Sequence, residues 1–399
     1  MIAIDEFGPL NVRRPESVAD LGGLVKEAAA SGQGVYPVGG RTTLDIGLPP
    51  TKPGFALDTS ALKRVVDYPA RDMTITVQAG ITISELRKTL AAEGQWLPID
   101  VPHPERATLG GAVALNLSGP RRFGAGTFRD YVIGISFMTD EGEEVKAGGR
   151  VVKNVAGYDL MKLQVGAVGT LGVISQLTLK VKPKPESAAV VRLVCSAAEL
   201  GGVLDRLHAS KSRPVVADIT SDHSTVGAAW AVWAGFEEKA ETVEWQVQTL
   251  LEELKHAPVT DVTAERGPAA LERLESLVNP IESKFVIKAN VRPSALARFA
   301  NAAAESNDYR IQSQALNGIL TASTVMDMSF EKALLEVNRL AAIAAECGGN
   351  LTIRRCPASW KSRLPVWGRP GPDRELMKHV KRTLDPKNVF NPGRLFADI

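Results

Sequence analysis

The first 185 residues combine short apolar strands with amphipathic helices. The periodicity predicts a helix over residues 16–31, followed by a strand at Val35 and a glycine loop. Residues 73–80 alternate between apolar and polar side chains and are rich in β-branched residues, which indicates a strand. The run Thr82-Ile83-Ser84-Glu85 has the form of a capping box, so a helix should begin there and end near Gly94.

The pattern continues with a predicted hairpin over residues 131–149, whose two strands are joined by an acidic Glu-Gly turn. A helix near residues 158–166 and a strand over 173–182 follow. Two prolines then interrupt the strand pattern within residues 181–187. Since proline cannot donate a ladder hydrogen bond, we place the domain boundary there.

After this boundary, strands alternate with long amphipathic helices, which predicts a sheet backed by helices, an α+β arrangement. The chain then ends with a predicted helix and a tail rich in Pro, Gly and Asn. The predicted strands cover about 188–194, 214–220, 226–234, 284–291, 318–324 and 350–355, and the predicted helices about 237–256, 293–305 and 329–346.

Composition narrows the class of protein. A chain of 399 residues exceeds one ordinary core of about 150 residues, so two domains are expected. The net charge of +2 and the lack of a long basic run argue against nucleic acid as a partner. No apolar run reaches the roughly 18 residues of a transmembrane helix, and the N-terminus is acidic. These features predict a cytoplasmic protein without a transmembrane segment.

Cysteine and histidine are too scattered to predict a metal site, because zinc and iron–sulfur sites need clustered ligands. If the protein passes electrons onward, we expect it to pass them to a centre that another polypeptide carries. The residues concerned are Cys195, Cys347, Cys356, His103, His208, His223, His256 and His379.

Glycine is concentrated before the boundary: 24 of the 35 glycines lie in residues 1–186, whereas five of the six tryptophans lie after them. Glycine is favoured where the backbone adopts positive φ or approaches another group closely. The N-terminal part is therefore expected to consist of tight turns around a ligand.

The loop YPVGGRTTLDIG, residues 36–47, follows a strand and can present successive N–H groups to a diphosphate. An alternative interpretation is a hairpin turn that merely contains glycines. The loop has neither the G-K-[ST] of a Walker A motif nor a G-x-G-x-x-G fingerprint, so a nicotinamide site of the Rossmann type is not supported.

Three further segments share small residues and glycines: residues 101–132, 153–174 and 385–395. In the second of them, glycine recurs every three residues at Gly166, Gly169 and Gly172, within a segment that has a helical pattern. Each such glycine costs on the order of 1 kcal/mol against alanine in a helix. This cost suggests a close approach to a ligand or to another part of the backbone.

Together, the four segments resemble the PCMH-type FAD-binding domain of the vanillyl-alcohol oxidase superfamily. The stretches SGPRRFGAGTFRDYVIG and VKNVAGYDLMKLQVGAVGTLGVI are similar to the FAD-binding E subunits of bacterial glycolate oxidases (glycolate dehydrogenases). The resemblance implies an α+β protein with a two-subdomain PCMH-type FAD-binding domain at residues 1–185. An α+β cap domain would follow at 186–375, and residues 376–399 would return to the FAD domain.

The same resemblance implies FAD as the cofactor. Relatives with covalent flavin often have His in the first glycine loop, and Arg41 stands there in this chain, so noncovalent FAD is expected. The cofactor-binding residues that the resemblance implies are Val38, Gly39, Gly40, Arg41, Thr42, Thr43, Pro102, Thr108, Gly110, Gly111, Asn116, Ser118, Thr127, Gly172, Ile174 and Asn391.

Oxidation of a 2-hydroxy acid by flavin moves a hydride from the α-carbon to the flavin and the hydroxyl proton to a base. The substrate carboxylate requires Arg or Lys. Lys288 and Arg354 are the candidates, the latter because the pattern around it predicts a strand with alternate side chains directed inward. Relatives that oxidise the substrate carry a histidine cluster in the cap, which this chain lacks, so the catalytic base is unassigned.

Three functions remain open. The first is an FAD-binding subunit of a glycolate oxidase complex, whose partners are a catalytic flavin subunit and an iron–sulfur subunit and whose substrate is a small hydroxy acid. Those partners would bring it to the inner face of the membrane as a peripheral protein. The second is an autonomous FAD-dependent oxidase or dehydrogenase of another 2-hydroxy acid or alcohol. The third is a structural subunit whose FAD has no redox role.

Overall fold

A computed structural model describes residues 1–149, 159–222, 229–278 and 282–398. The chain forms two compact units. The first comprises Met1–Ser118, Thr127–Lys184 and Pro370–Ile399, and the second comprises Gly119–Gly126 and Pro185–Arg369. The short segment 119–126 therefore belongs to a different unit from the residues on either side of it.

The described residues include nineteen strands. They are β1 Ile2–Ala3, β2 Pro9–Arg13, β3 Gly34–Val38, β4 Gly54–Asp58, β5 Val65–Asp67, β6 Thr74–Gln78, β7 Gln95–Trp96, β8 Val132–Met138, β9 Glu144–Gly148, β10 Val173–Lys180, β11 Lys182–Pro183, β12 Ser187–Ser196, β13 Val216–Asp222, β14 Ala229–Glu238, β15 Asp261–Arg266, β16 Val286–Asn290, β17 Tyr309–Gln314, β18 Ile319–Thr324 and β19 Asn350–Arg355.

The same residues include twelve α-helices, together with short 3₁₀ turns. None of these helices is long and apolar enough to cross a membrane. They are α1 Val18–Ser31, α2 Ile83–Ala91, α3 Leu109–Ala114, α4 Arg122–Ala125, α5 Phe128–Tyr131, α6 Met161–Gln164, α7 Leu200–Ala209, α8 Ala240–Glu253, α9 Pro268–Ser276, α10 Leu296–Ala304, α11 Phe330–Glu346 and α12 Arg374–Leu384.

The first unit contains two main sheets. One has the strand order β1-β2-β4-β3, in which β2, β4 and β3 run parallel. The other is an antiparallel sheet with the order β5-β6-β10-β8-β9. A parallel bridge between Val35 of β3 and Phe390 adds the C-terminal tail to the first sheet. The tail is thus part of this unit.

Two helices of this unit, α1 and α2, begin close to the residues where the sequence predicted them to begin, and a local capping motif stabilises each start. Ser17 and Asp20 form a capping box at the start of α1. At the start of α2, the Glu85 N–H donates to Thr82 Oγ1 at 3.1 Å, and the Thr82 N–H donates to Glu85 Oε2 at 3.1 Å. Each pair satisfies N–H groups that a helix leaves unpaired at its N-terminus. Both predicted helices are confirmed.

Two expectations about glycine segments are corrected. The loop after β3 is not a hairpin turn, because β3 and β4 pair in parallel and the chain must cross over between them. The glycines near residue 170 do not lie in a helix, because α6 ends at Gln164. Gly166, Gly169 and Gly172 instead have φ values of 85°, 63° and 153°. These positive φ angles favour glycine, which explains why glycine occupies the three positions. Residues 153–158 of that segment lie outside the described residues.

The second unit is an eight-stranded antiparallel sheet with the order β15-β12-β14-β13-β17-β18-β16-β19. Helices α7, α8, α10 and α11 cover one face and form its main core, while α9 packs on the other face near β12 and β14. This agrees with the predicted sheet backed by helices. Two strands, β15 and β17, and two helices, α7 and α9, were not predicted.

Candidate functional site

A cleft lies within the first unit, between the glycine loop after β3, the start of α3, the loop before β10 and the C-terminal tail. Twelve of the residues that the sequence singled out for a cofactor line the cleft: Val38, Gly39, Gly40, Arg41, Thr42, Thr43, Thr108, Gly110, Gly111, Gly172, Ile174 and Asn391.

The glycine loop approaches the segment before α3 too closely for side chains. A Cβ at Gly40 would lie 1.7 Å from the carbonyl oxygen of Arg106, and one at Gly39 would lie 2.1 Å from Thr108 Oγ1. Because backbone atoms cannot move away cheaply, Gly40 requires glycine, whereas at Gly39 the obstacle is the side chain of Thr108, which caps α3. The glycines therefore give the cleft a wall made of backbone.

The backbone of residues 40–43 is available to an anion. Within the described part of the chain, the N–H groups of these four residues donate to no protein acceptor. Arg41 has φ 58°, and its guanidinium Nη2 lies 3.3 Å from Asp58 Oδ2. Successive N–H groups around a residue of positive φ form a concave anion-binding surface. This arrangement fits a diphosphate and leaves the Arg41 side chain paired elsewhere.

Four of the expected cofactor residues do not line the cleft: Pro102, Asn116, Ser118 and Thr127. Thr127 caps α5, where its N–H donates to Asp130 Oδ2 at 2.8 Å. Asn116 lies at the end of α3 with φ 46°, and its buried Oδ1 has no hydrogen-bond partner among the described residues. Their role in cofactor binding stays a prediction.

Sequence reasoning missed several lining residues, of which Val168 and Arg394 are the most informative. Val168 has φ 58°. A β-branched residue is strained in that region, so the surrounding contacts must hold it there. The sequence did contain a signal for this loop, because Val168 lies between Gly166 and Gly169. In the structure all three residues have positive φ.

Asn391 supplies one of those contacts. Its Nδ2 donates to the carbonyl oxygen of Val168 at 2.7 Å, while its own N–H donates to the carbonyl oxygen of Val35 at 2.9 Å. One tail residue therefore ties the strained loop to β3. Asn391 lies in the first unit, and its direct contact with cofactor stays a prediction.

Arg394 is a second tail residue that lines the cleft. Its side chain is only 6% exposed, and Nη1 lies 2.9 Å from Asp5 Oδ2. It also donates to the carbonyl oxygens of Leu44 and Leu48, each at 2.6 Å, and to that of Ile46. Burial lowers the pKa of the guanidinium, and the Asp5 carboxylate opposes that shift. Arg394 thus fixes the segment that follows the glycine loop.

A second buried ion pair fixes the tail itself. Lys381 of α12 pairs with Asp385, and its Nζ also donates to the carbonyl oxygens of Thr170 at 3.0 Å and Phe390 at 2.9 Å. Asp385 accepts hydrogen bonds from the N–H groups of Val389 and Phe390, each at 2.8 Å. Because every charge is hydrogen-bonded, the pair tolerates burial and joins the tail to the loop before β10.

The second unit presents a polar row across five strands of its sheet. Register pairs Thr220 with Gln312, Gln312 with Thr321, Thr321 with Lys288, and Lys288 with Thr352. All five side chains are half-buried. Their strand neighbours lie in the main core, so alternation places the row on the opposite face of the sheet. Lys288 is the only cation in the row.

The Lys288 environment favours the neutral amine. Burial lowers the pKa of Lys288 to about 7, and the nearby positive charges of Arg354 and Arg122 add to that effect. Val286 pairs with Arg355 and Ile287 with Ile353, so Arg354 is the extra residue of a β-bulge. Bulges redirect a side chain and are frequent beside functional sites. The two candidates Lys288 and Arg354 are thus brought together.

The described residues contain no group of three or more His, Cys, Asp and Glu side chains arranged to hold a metal ion. His223 lies outside the described residues.

Comparison with known proteins identifies the first unit. Residues 9–148 match the FAD binding domain family, and residues 370–395 match the family described as FAD linked oxidases, C-terminal domain. The second match covers the tail that completes the cleft. The expected resemblance and the expected cofactor FAD are confirmed, and the cleft, the N–H groups and the glycine wall fit FAD.

Similar proteins extend over nearly the whole chain. Glycolate oxidase subunit GlcE of Escherichia coli is 28% identical, covering 87% of this chain and 88% of that protein. D-lactate dehydrogenase of Archaeoglobus fulgidus is 26% identical, covering 96% and 90%. The solved structure of alkyldihydroxyacetonephosphate synthase has a TM-score of 0.72 at 18% identity, covering 96% of this chain and 77% of that one. That structure supports the predicted α+β fold.

Proposed function

We propose that this FAD-binding chain is the flavin-carrying subunit of a glycolate (2-hydroxy acid) oxidase or dehydrogenase complex. The observation that carries the proposal is the similarity to glycolate oxidase subunit GlcE over 87% of this chain and 88% of that protein. The proposed partners are a catalytic flavin subunit and an iron–sulfur subunit. The second unit would serve as the cap, or substrate, domain.

The first unit would hold FAD noncovalently. The unpaired N–H groups of residues 40–43 would bind the diphosphate, and the backbone at Gly110, Gly111 and Gly172 would border the rest of the cofactor. When bound, FAD supplies the ring that accepts a hydride. Asn391 and Arg394, which line the cleft, would hold the loops that contact the cofactor.

The second unit would bind the substrate carboxylate. Lys288 in its protonated form and Arg354 supply positive charge at one place on the polar face of the sheet. A carboxylate shared between these groups would restore the proton to Lys288, because an opposite charge favours the charged form of a lysine. Substrate binding and Lys288 protonation would therefore be coupled. The base that removes the hydroxyl proton is not assigned.

An absorption spectrum of the purified chain tests the cofactor part of the proposal. We expect flavin bands that acid releases into the supernatant; bands that stay with the precipitated protein would contradict noncovalent FAD. Co-purification from native cells tests the complex. Recovery of two further subunits, with glycolate oxidation only in the assembly, is the expected result, and a fully active isolated chain would overturn it.

A second candidate is an autonomous dehydrogenase. It is favoured by the similarity to D-lactate dehydrogenase of Archaeoglobus fulgidus, which spans 96% of this chain and 90% of that protein. Anaerobic addition of D-lactate, glycolate and D-2-hydroxyglutarate to the isolated chain separates the two candidates. Bleaching of the flavin bands by any of them supports autonomy, and no bleaching removes this candidate.

A further inference from the structure

The segment 119–126 is anchored in the second unit by a buried ion pair. Arg121 donates through Nε to Glu237 Oε2 at 2.8 Å and through Nη2 to Glu237 Oε1 at 2.7 Å. The two side chains are only 8% and 3% exposed. A buried pair of this kind offers little net stability against apolar side chains of similar size. The two parallel hydrogen bonds do, however, fix the orientation of the Arg121 guanidinium relative to the Glu237 carboxylate.

A backbone contact provides a second anchor three residues later. The Gly124 N–H donates to the carbonyl oxygen of Val215 at 2.9 Å. A Cβ at Gly124 would lie 2.6 Å from the Cα of Val215, so the two backbones touch. Phe123 packs against the main core of the same unit. Arg122 lies between the two anchors and therefore has little freedom of position.

Arg122 lies close enough to Lys288 to act on its charge, as Arg354 does. Charged groups reach Lys288 from two elements: Arg354 from the bulge in β19 and Arg122 from α4. The strand on its other side, β18, places Thr321 opposite it. Like charges brought together in this way raise the free energy of the empty site, and a bound anion offsets that cost.

We propose that the Arg121–Glu237 pair is a positioning element that holds Arg122 as the third cation of an anion-binding centre at Lys288 and Arg354. The pair itself does not touch the anion. The inference rests on the proposed function only for the identity of the anion, a small carboxylate. It assigns the segment 119–126 to the substrate-binding domain, although the residues on either side of it belong to the first unit.

The test uses the full-length chain with FAD bound and two readouts. One is the titration of Lys288 by NMR after ¹³C-methylation of lysine amines, with Lys288→Met identifying the signal. The other is calorimetric binding of oxalate, a carboxylate that cannot donate a hydride. The variant Arg121→Met/Glu237→Leu removes the pair without leaving a buried charge. Arg122→Gln removes the positioned charge alone.

Both variants should raise the pKa of Lys288 by about one and weaken oxalate binding by roughly fivefold, since Arg122→Gln removes the positioned charge and the double variant releases Arg122 from its place near Lys288. The control Arg273→Gln/Glu265→Gln removes an exposed pair with the same two-point geometry and should leave both readouts unchanged. An unchanged Lys288 titration in the double variant, with a shift in Arg122→Gln, would overturn the positioning role. The titration needs no substrate turnover, so its outcome is separate from that of the proposed function.

Discussion

Asn391 and Val168 lie 223 positions apart in the chain, and the asparagine side-chain amide donates a 2.7 Å hydrogen bond to the valine carbonyl oxygen. This bond helps to hold Val168 at its φ of 58°. A valine in this region stores strain of order 1–3 kcal/mol. The hydrogen bond offsets part of that strain and keeps the loop in the shape that lines the cleft. Cofactor binding should therefore depend on a residue in the tail.

The variant Asn391→Gly tests this dependence, because glycine accepts the φ of 44° at this position but removes the amide. We expect FAD to bind roughly tenfold more weakly, in line with the 0.5–1.5 kcal/mol of a typical hydrogen bond. Titration of the apoprotein with FAD measures this. Asn388→Gly removes an asparagine at φ 49° in the same tail and serves as the control. An equal loss in both variants would show a general effect on the tail.

Gly40→Ala should abolish FAD binding, because the new Cβ would lie 1.7 Å from the Arg106 carbonyl oxygen and force the two walls of the cleft apart. Gly23→Ala is the matched control. A Cβ there meets nothing within 4 Å on helix α1, so this variant should gain about 0.5–1 kcal/mol of stability. Flavin content after purification and thermal unfolding measure the two effects. Normal flavin content in Gly40→Ala would contradict the geometry.

Arg394→Met should destabilise the chain by about 3–5 kcal/mol, since it breaks the buried ion pair with Asp5 by removing one member and also removes hydrogen bonds to three carbonyl groups. Arg298→Met removes an exposed ion pair with Glu346 and should cost less than about 1 kcal/mol. Denaturant unfolding compares both with the parent protein. A small change in Arg394→Met would mean that water replaces the lost contacts.

Lys288→Met should be more stable than the parent at pH 6, with the difference shrinking as the pH rises above about 7. The pKa of Lys288 is lowered to about 7 in the folded chain, from 10.5 in its ordinary state. Between these values the unfolded chain binds more protons, so the stability of the parent rises with pH. Urea unfolding at pH 6 and pH 9.5 measures this, and a difference that is independent of pH would contradict it.

The sequence predicted the elements with strong local signals. Thr82 and Glu85 of the predicted capping box lie three positions apart, and the paired residues of the hairpin formed by β8 and β9 lie six to fourteen positions apart. Such signals need no tertiary context. The elements of the second unit that were not predicted lack such local signals. Strand β15 is exposed along most of an edge, and helix α7 begins with Leu-Gly-Gly, which lowers its helical propensity.

The parts of the candidate site that glycine loops form were predictable from the sequence. The parts that depend on side-chain contacts between distant segments of the chain were much less predictable. The loop after β3 and the start of α3 stood out by composition. The contacts of Arg394 with residues 44–48 depend on chain segments more than 340 positions apart. No local pattern marks Arg122 as belonging to a different unit from Thr127, because that assignment depends on packing alone.

The position of the tail in the first unit also bears on biosynthesis. A ribosome makes residues 1–184 first, then the whole of residues 185–369, and only afterwards Asn391 and Arg394. Until those two residues emerge, the strained loop at Val168 and the segment at Leu44–Leu48 have no partner from the tail. The N-terminal part can fold early, but its cofactor cleft stays unfinished while the second unit is translated. We therefore expect flavin to load late, after the tail has been translated.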